Sequence, residues 1–225
     1  SVTDEIGFLT EERSLLLKLT VQEQAEFYGH LKGMSSIEIE QRLDYLLKRF
    51  KIEEYKERKI KELSKGNQQK VQFIMSILNN PKLLILDEPF SGLDPINVEL
   101  FKDIIMEMKK NKTSIIFSTH RMDHVEYFCE KLVILVRGKA VLEGKLKKIK
   151  KDYRKKNIKV IGDFDKEKIK KIKGVNKIEE NESETIIKID NDKIADKVFK
   201  EISKGKNIRK FIVEEASLEE IFIDK

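Results

Sequence analysis

Three short apolar runs in the middle of the chain limit its fold most strongly. They are LLIL (83–86), SIIFS (114–118) and LVILV (132–136), and each is continuous rather than alternating, as in strands that are buried on both faces of a parallel sheet. Two stretches with helical periodicity, at about 97–110 and 121–130, separate these runs. We therefore expect a βαβαβ order, and with it an α/β domain that is built on a parallel sheet.

Three helices are expected before this region. Thr20 and Glu23 have the spacing of a capping box, and so do Ser35 and Glu38, which places a hydroxyl and a carboxylate at the start of two helices. A third helix is expected to follow LSKGNQQ (63–69), because apolar residues then recur at helical spacing. We expect these helices to form a helical subdomain over about residues 15–80.

The composition changes at KLKKIKKDYRKKN (145–157), where eight of thirteen residues are basic. We interpret this segment as a solvated helix and linker, with an anionic-lipid patch as the alternative. The strand and helix patterns beyond it follow the order βαββαβ, which is the ferredoxin-like split motif. The expected domains are thus residues 1–148, a basic linker over 149–157 and a ferredoxin-like α+β domain over 158–225.

Bulk composition excludes several classes of protein. No apolar run approaches the roughly 18 residues that a membrane helix needs. A single cysteine, Cys129, excludes an internal disulfide framework. The net charge of +6 arises from 46 basic residues mixed with 40 acidic ones, so we expect a lysine-rich solvated surface and no nucleic-acid partner.

Acidic and imidazole side chains follow two neighbouring strands. Asp87 and Glu88 come directly after LLIL, and His120 comes just after SIIFS. Ligands bind at the carboxyl ends of the strands of an open parallel sheet, so these side chains should share one edge. For phosphate-ester hydrolysis, one carboxylate would hold Mg²⁺ through its water shell and the second would orient or deprotonate the attacking water. The histidine would stabilise charge on the transferred phosphoryl group.

Four segments together resemble the ATP-binding-cassette (ABC) ATPases in their order and approximate spacing. They are LSKGNQQ (63–69), LLILDEP (83–89), SGLD (91–94) and STH (118–120), which in that family are the signature motif, the Walker B strand, the D-loop and the switch histidine. The resemblance covers about residues 5–145 and is closest to cassettes of the ABC-2 export type, whose C-terminal extension ends in a phrase similar to ASLEEIFI. It implies a P-loop NTPase core with a helical subdomain, ahead of the ferredoxin-like domain.

The resemblance also implies roles for the side chains at the sheet edge. Asp87 would bind the Mg²⁺ shell, Glu88 would be the catalytic carboxylate and His120 would contact the γ-phosphate of ATP. The position of the Q-loop glutamine, in the family a metal ligand and a relay to the membrane partner, holds Glu11 here. That departure leaves the detailed role of Glu11 open.

A second group of residues would act across a dimer of ATPase subunits. By the resemblance, Ser64, Gly66 and Gln68 would contact the ATP that is held by the other subunit, and Asp94 would cross the dimer interface. The signature reads Ser-Lys-Gly rather than the commoner Ser-Gly-Gly, which places a side chain at Lys65.

The phosphate-binding loop of the family, G-x-x-x-x-G-K-[ST], is not found in these 225 residues. The nearest segment, GKAVLEGKL from Gly138, has glycines one residue too far apart and Leu146 in place of the magnesium-binding hydroxyl. We therefore expect a fragment of an ATPase subunit that does not bind ATP in the ordinary manner, with a naturally shortened paralogue as the alternative. Uncovered sheet edges and apolar faces should cause the fragment to self-associate.

The expected function of the parent protein is ATP-driven energy coupling in an ABC exporter. Its cofactors would be ATP and Mg²⁺, its partners a separate membrane permease and a second ATPase subunit, and its place the inner face of the cell membrane. The alternatives are a soluble cassette ATPase that acts on nucleic acid or ribosomes, and a non-catalytic module in which residues 156–225 are the functional part. His124 is not expected to bind zinc, because no third ligand or cysteine pair is near it in the sequence.

Overall fold

A computed structural model describes residues 5–12 and 14–224. The chain divides into two compact units, the first ending at His120 and the second beginning at Arg121. The domain boundary that the sequence places near residue 148 stays a prediction. Among the described residues, no helix combines the length and the apolar character that crossing a membrane requires.

The first unit contains a three-stranded parallel sheet. Its strands are β1 (Ile6–Leu9), β2 (Leu83–Asp87) and β3 (Ser114–Ser118), in the order β1-β2-β3. Two of the three apolar runs therefore form parallel strands, as expected. The two faces of the sheet differ: Leu84 and Leu86 are fully buried, whereas Phe8 and Ile116, which lie in one row with Ile85, are 56% and 59% exposed.

In the part of the first unit that the structure describes there are four α-helices, and both predicted capping boxes are present. They are α1 (Val21–Leu31), α2 (Ser36–Phe50), α3 (Lys65–Ile77) and α4 (Pro95–Lys110), with short 3₁₀ turns at Glu53–Tyr55 and Ile60–Glu62. Thr20 caps α1 and Ser35 caps α2: each hydroxyl oxygen accepts a bond from the N–H of the glutamate three residues on, and the carboxylate of that glutamate accepts a bond from the N–H of the cap residue. A capping box satisfies amide groups that have no partner within the helix, which is why each helix begins where it does.

Three phenylalanines join these helices. Phe50 from α2, Phe73 from α3 and Phe101 from α4 are each 0% exposed. Their ring centroids lie 4.6 Å apart for Phe73 and Phe101, and 5.5 and 5.8 Å from that of Phe50. These separations are those of favourable aromatic pairs, so the cluster holds the helix carrying LSKGNQQ against its neighbours.

The third apolar run, LVILV, corrects the predicted βαβαβ order. It lies in β4 (Lys131–Val136), which pairs in antiparallel fashion with β5 (Lys139–Lys145). Arg137 and Gly138 both have positive φ, 48° and 75°, and reverse the chain at once. The strand therefore finds its hydrogen-bond partner next along the chain rather than in the parallel sheet. The segment that begins at Gly138, GKAVLEGKL, also reads from the sequence as the second half of a hairpin, and the structure confirms that hairpin.

The rest of the second unit has the ferredoxin-like architecture that was expected. After α5 (Met122–Phe128), the hairpin and α6 (Leu146–Asp152), a four-stranded antiparallel sheet forms in the order β7-β8-β6-β9. Its elements are β6 (Lys156–Asp163), α7 (Lys166–Lys170), β7 (Val175–Glu180), β8 (Thr185–Ile189), α8 (Asp192–Ile202) and β9 (Lys206–Glu215), followed by α9 (Leu218–Ile223). Buried residues such as Ile158, Ile187 and Val198 form its core.

Candidate active site

The register of β2 and β3 brings the predicted catalytic side chains together. Asp87 pairs with Ser118 as the last pair of the parallel ladder. Just beyond it, the Glu88 N–H donates to the carbonyl oxygen of Ser118 at 3.1 Å. The segments 87–88 and 118–120 therefore leave the sheet side by side at its carboxyl edge, as the sequence predicts.

The carboxylate of Glu88 is held from three directions. Its Oε1 accepts a bond from the backbone N–H of His120 at 2.8 Å and lies 2.9 Å from Nδ1 of the same residue. Its Oε2 accepts a bond from Thr119 Oγ1 at 3.1 Å. The Glu88 side chain is 17% exposed, whereas that of His120 is 80% exposed. The carboxylate is therefore fixed in place, while the ring beside it faces solvent.

The contact between His120 and Glu88 determines which nitrogen of the imidazole ring carries the hydrogen. An ionised carboxylate can only accept hydrogen bonds, so Nδ1 of His120 carries the hydrogen that points at Glu88. The second ring nitrogen, Nε2, is then available to a ligand at the sheet edge.

Glu88 also has an unusual backbone conformation. Its φ is +44°, in the left-handed region, where a residue with a Cβ costs roughly 1–2 kcal/mol. The side-chain bonds of Glu88 and its backbone bond to Ser118 offset this cost. Strain of this kind persists where the surroundings over-determine a conformation, which is common at active sites.

Asp87 and Ser118 fit a magnesium ion. Asp87 is half-buried, and one of its carboxylate oxygens accepts a bond from the Ser118 hydroxyl. Mg²⁺ prefers oxygen ligands and is usually held by one or two carboxylates together with water and phosphate oxygens. A site of this kind needs no cluster of protein ligands, and residues 5–12 and 14–224 contain no group of three His, Cys, Asp or Glu placed to hold a metal. These residues provide no G-x-x-x-x-G-K-[ST] cradle for a triphosphate.

The residues of LSKGNQQ lie at the start of α3. Ser64 caps the helix and its hydroxyl accepts a bond from the Asn67 N–H at 3.3 Å. Ser64 is exposed, and a Cβ added to Gly66 would meet nothing within 4 Å. The helix start thus offers a hydroxyl, an open backbone and the positive end of a 13-residue helix to an anion.

Gln68 faces inward instead of joining that open surface. It is 9% exposed, and its Nε2 donates to the carbonyl oxygens of Ile60 at 3.0 Å and Leu63 at 3.2 Å. These bonds hold the turn that leads into α3. The contact of Gln68 with a nucleotide stays a prediction. Its neighbour Gln69, which the sequence did not single out, donates to the Ser91 carbonyl at 2.7 Å and so joins α3 to the loop after β2.

Asp94 is exposed and caps α4. Its carboxylate accepts a bond from the Asn97 N–H at 2.9 Å. This backbone bond lowers the pKa of Asp94 below its ordinary value, so the side chain remains negative at neutral pH.

Glu11 is exposed too, and a buried glutamine of α3 holds its backbone segment. Gln72 is 5% exposed, and its Nε2 donates to the carbonyl oxygens of Thr10 at 3.0 Å and Glu12 at 3.1 Å. The sequence carried a signal for Gln72, since a polar side chain on the inward face of an amphipathic helix needs a partner. Ser118 and Thr119 were missed as well: both lie in STH (118–120), but only His120 of that segment was predicted to have a role.

His124, four residues after His120 in the chain, is buried. His124 is 2% exposed, with Nε2 3.9 Å from an Asp123 carboxylate oxygen.

Comparisons with known proteins agree on one family. A family model described as ABC transporter matches residues 1–91, and one described as the C-terminal domain of DrrA1-3-like ATP-binding proteins matches residues 144–225. An ABC transporter ATP-binding protein of Alkalihalophilus pseudofirmus is 46% identical over 225 residues, which are all of this chain and 84% of that protein. The ABC transporter ATP-binding protein YhaQ of Bacillus subtilis is 46% identical over 224 residues, or 75% of its length.

Solved structures show the same similarity. A structure described as the ATP-binding subunit of an ABC transporter has a TM-score of 0.62 and 32% identity, over 67% of this chain and 62% of that one. The structure of CbiO1 from Clostridium perfringens, described as part of the transporter complex CbiONQ, has a TM-score of 0.55 and 31% identity, over 65% of this chain and 59% of that one.

Proposed function

This chain belongs to the ATP-binding proteins of ABC transporters, the energy-coupling components of these transporters, and on that premise we propose that Glu88 is its hydrolytic carboxylate in an ATP-driven exporter. The observation that supports this role is the fixation of Glu88 by Thr119 and His120, directly beside Asp87. The family uses ATP and Mg²⁺ and pairs with membrane permease components. The relatives do not favour a ribosome-directed ATPase or a non-catalytic module.

The residues at the carboxyl edge of the sheet would have different roles in hydrolysis. Asp87 and the Ser118 hydroxyl would hold Mg²⁺, which when bound neutralises charge on the phosphate oxygens. Glu88 would orient the attacking water and accept its proton, because its carboxylate is fixed with lone pairs still to offer. His120 would present Nε2 to the γ-phosphate. The experiment compares ATP hydrolysis by a hydrolysing form of the protein with that of its Glu88→Gln variant, and equal, measurable rates would overturn the proposal.

The second ATPase subunit would bind at the start of α3. Ser64 and Gly66 present an open helix start to a nucleotide that the other subunit holds, and Asp94 offers a negative charge at the interface. Glu11, also exposed, would act nearer the permease. In this arrangement each subunit completes the other's nucleotide site.

Gly66→Ala should separate stability from dimerisation. Because the added Cβ meets nothing within 4 Å and alanine favours a helix over glycine by about 0.5–1 kcal/mol, unfolding in urea should show unchanged or slightly higher stability. In a form of the protein that binds ATP, ATP-dependent dimerisation, followed by light scattering, should weaken because the methyl group meets the partner's nucleotide. Gly29→Ala is the contrasting variant in the stability measurement. Its added Cβ would lie 2.4 Å from the Ile39 side chain, so this glycine, unlike Gly66, has no room for a methyl group. Unimpaired dimerisation of Gly66→Ala would contradict the cross-subunit role.

The permease would bind an exposed apolar surface of the helical subdomain, which we name the α1 surface. It consists of Leu16, Leu17, Phe27 and Leu31, which are 44%, 48%, 48% and 64% exposed. The segment before α1 is tied to that helix, because Leu16 N–H donates to Gln24 Oε1 at 2.9 Å and the Tyr28 hydroxyl donates to the Ser14 carbonyl at 3.3 Å. This binding would place the chain at the inner face of the membrane.

Replacing Leu31 in the α1 surface by lysine should weaken permease binding without unfolding the chain. Exposed positions away from special contacts change stability by less than about 0.5 kcal/mol, whereas a charge in an apolar interface costs binding. The measurement is co-purification with the co-expressed permease subunit, beside thermal unfolding. Ile223→Lys, at a 73% exposed position of the second unit, is the matched control. Equal recovery with both variants would place the permease elsewhere.

The open face of the three-stranded sheet supports self-association. Phe8 and Ile116 expose apolar surface in one row across β1 and β3, and exposed apolar patches favour association between copies of a chain.

A further inference from the structure

We propose that Thr119 is a positioning residue of this site, whose hydroxyl fixes the Glu88 carboxylate and through it the tautomer of His120. The inference deepens the proposed function and rests on it for its catalytic meaning. Its structural content, a chain of hydrogen bonds from Thr119 through Glu88 to His120, can be measured independently of hydrolysis.

The first step concerns rotation of the Glu88 carboxylate. The terminal torsion of a glutamate is broad and nearly two-fold, so a carboxylate with one anchored oxygen can still turn. Here the Thr119 hydroxyl binds Oε2 at 3.1 Å while the His120 N–H binds Oε1 at 2.8 Å. Donors on both oxygens fix the plane of the carboxylate, and removal of the hydroxyl would leave one oxygen without this donor.

The second step concerns the imidazole of His120. Oε1 of Glu88 lies 2.9 Å from Nδ1, and the hydrogen bond that one ring nitrogen makes selects the tautomer of a neutral histidine. The ring is 80% exposed, so Glu88 is the contact that holds the proton on Nδ1. If the carboxylate turns, that selection weakens, and the proton distributes over both nitrogens.

Ser118 provides a comparison within the same segment. Its hydroxyl binds Asp87 rather than Glu88, although it precedes Thr119 directly. Loss of the Ser118 hydroxyl should therefore affect the Asp87 side of the site and leave the Glu88–His120 bond intact. The two neighbouring hydroxyls thus have separable roles, the first toward Asp87 and the second toward Glu88.

The test is a histidine-selective ¹⁵N labelling experiment on the 225-residue chain. The chain has three histidines, so long-range ¹H–¹⁵N spectra at about pH 8.5, above the ordinary imidazole pKa of roughly 6.5, report each ring separately. We expect His120 to show a protonated Nδ1 in the wild-type chain, in Thr119→Ser and in Ser118→Ala. Thr119→Val, which keeps the shape but not the hydroxyl, should shift His120 toward a mixture of tautomers.

His30 and His124 report whether the variants fold. Their signals should stay at the wild-type positions in every variant. If Thr119→Val moves them, Thr119→Ala replaces it under the same expectation. A wild-type His120 pattern in a folded variant that lacks the Thr119 hydroxyl would overturn the inference.

Steady-state hydrolysis distinguishes this inference from the proposed function. In a hydrolysing form, Thr119→Val should lower kcat between about 10- and 100-fold with little change in KM, because a slightly misplaced group loses rate more than binding, and Thr119→Ser should restore it. If Glu88→Gln abolishes hydrolysis but Thr119→Val changes neither kcat nor the His120 tautomer, the positioning role alone fails. If the tautomer responds but Glu88→Gln hydrolyses normally, the proposed function fails instead.

Discussion

In a hydrolysing form of the protein, replacing Glu88 by glutamine is expected to lower kcat for ATP hydrolysis by about 10²–10⁴-fold, the usual contribution of a positioned general base. Glutamine keeps the length and an accepting oxygen, so the bond with the His120 N–H can remain. It cannot take a proton from water. The affinity for Mg²⁺ and ATP should change little, because Asp87 and not Glu88 lies beside the expected metal position.

A matched control makes the Glu88 measurement specific. Glu57→Gln removes the same charge from an exposed position between the two 3₁₀ turns and should hydrolyse ATP at the wild-type rate. Nucleotide affinity measured by calorimetry for both variants separates a loss of chemistry from a loss of binding. A Glu88→Gln variant that retains more than about a tenth of the wild-type kcat would assign the base to another group.

Replacing Phe73 by alanine is expected to destabilise the first unit by about 3–5 kcal/mol, because a fully buried aromatic side chain is removed and the cavity collapses only in part. Phe73 is 0% exposed and touches both other rings of the cluster, at centroid distances of 4.6 Å from Phe101 and 5.8 Å from Phe50. A loss of this size is a large part of the 5–15 kcal/mol that stabilises a typical domain. The first unit should therefore unfold at much lower urea concentration.

The Phe73 effect can be measured without a tryptophan probe, since the chain has none. Urea unfolding followed by methyl NMR signals reports each unit by its own residues, and signals of the second unit, such as Ile158 and Ile187, should keep their wild-type midpoint. Phe27→Ala, at a 48% exposed position, is the matched control and should cost much less. A loss below about 1 kcal/mol for Phe73→Ala would mean that the cluster repacks.

Much of this fold could be predicted from local patterns. Both capping boxes, the strands at Leu83–Asp87 and Ser114–Ser118, and the whole βαββαβ order of the second unit lie where the sequence placed them. These features depend on residues only a few positions apart, so a single sequence contains them. The grouping of Asp87, Glu88 and His120 could also be predicted, since parallel strands end at the same edge of a sheet.

What the sequence by itself determined is thus the set of elements and the family, together with the acids and the histidine at the sheet edge. Only the tertiary structure decided that β4 lies outside the parallel sheet, that Gln68 points inward, and that Ser118 and Thr119 each hold a different carboxylate. An apolar run has the same pattern whether its partner strand is next in sequence or distant. The Thr119 hydroxyl binds the carboxylate of Glu88, which lies 31 positions earlier in the chain. Such a pairing depends on strand register and three-dimensional contact rather than on local spacing.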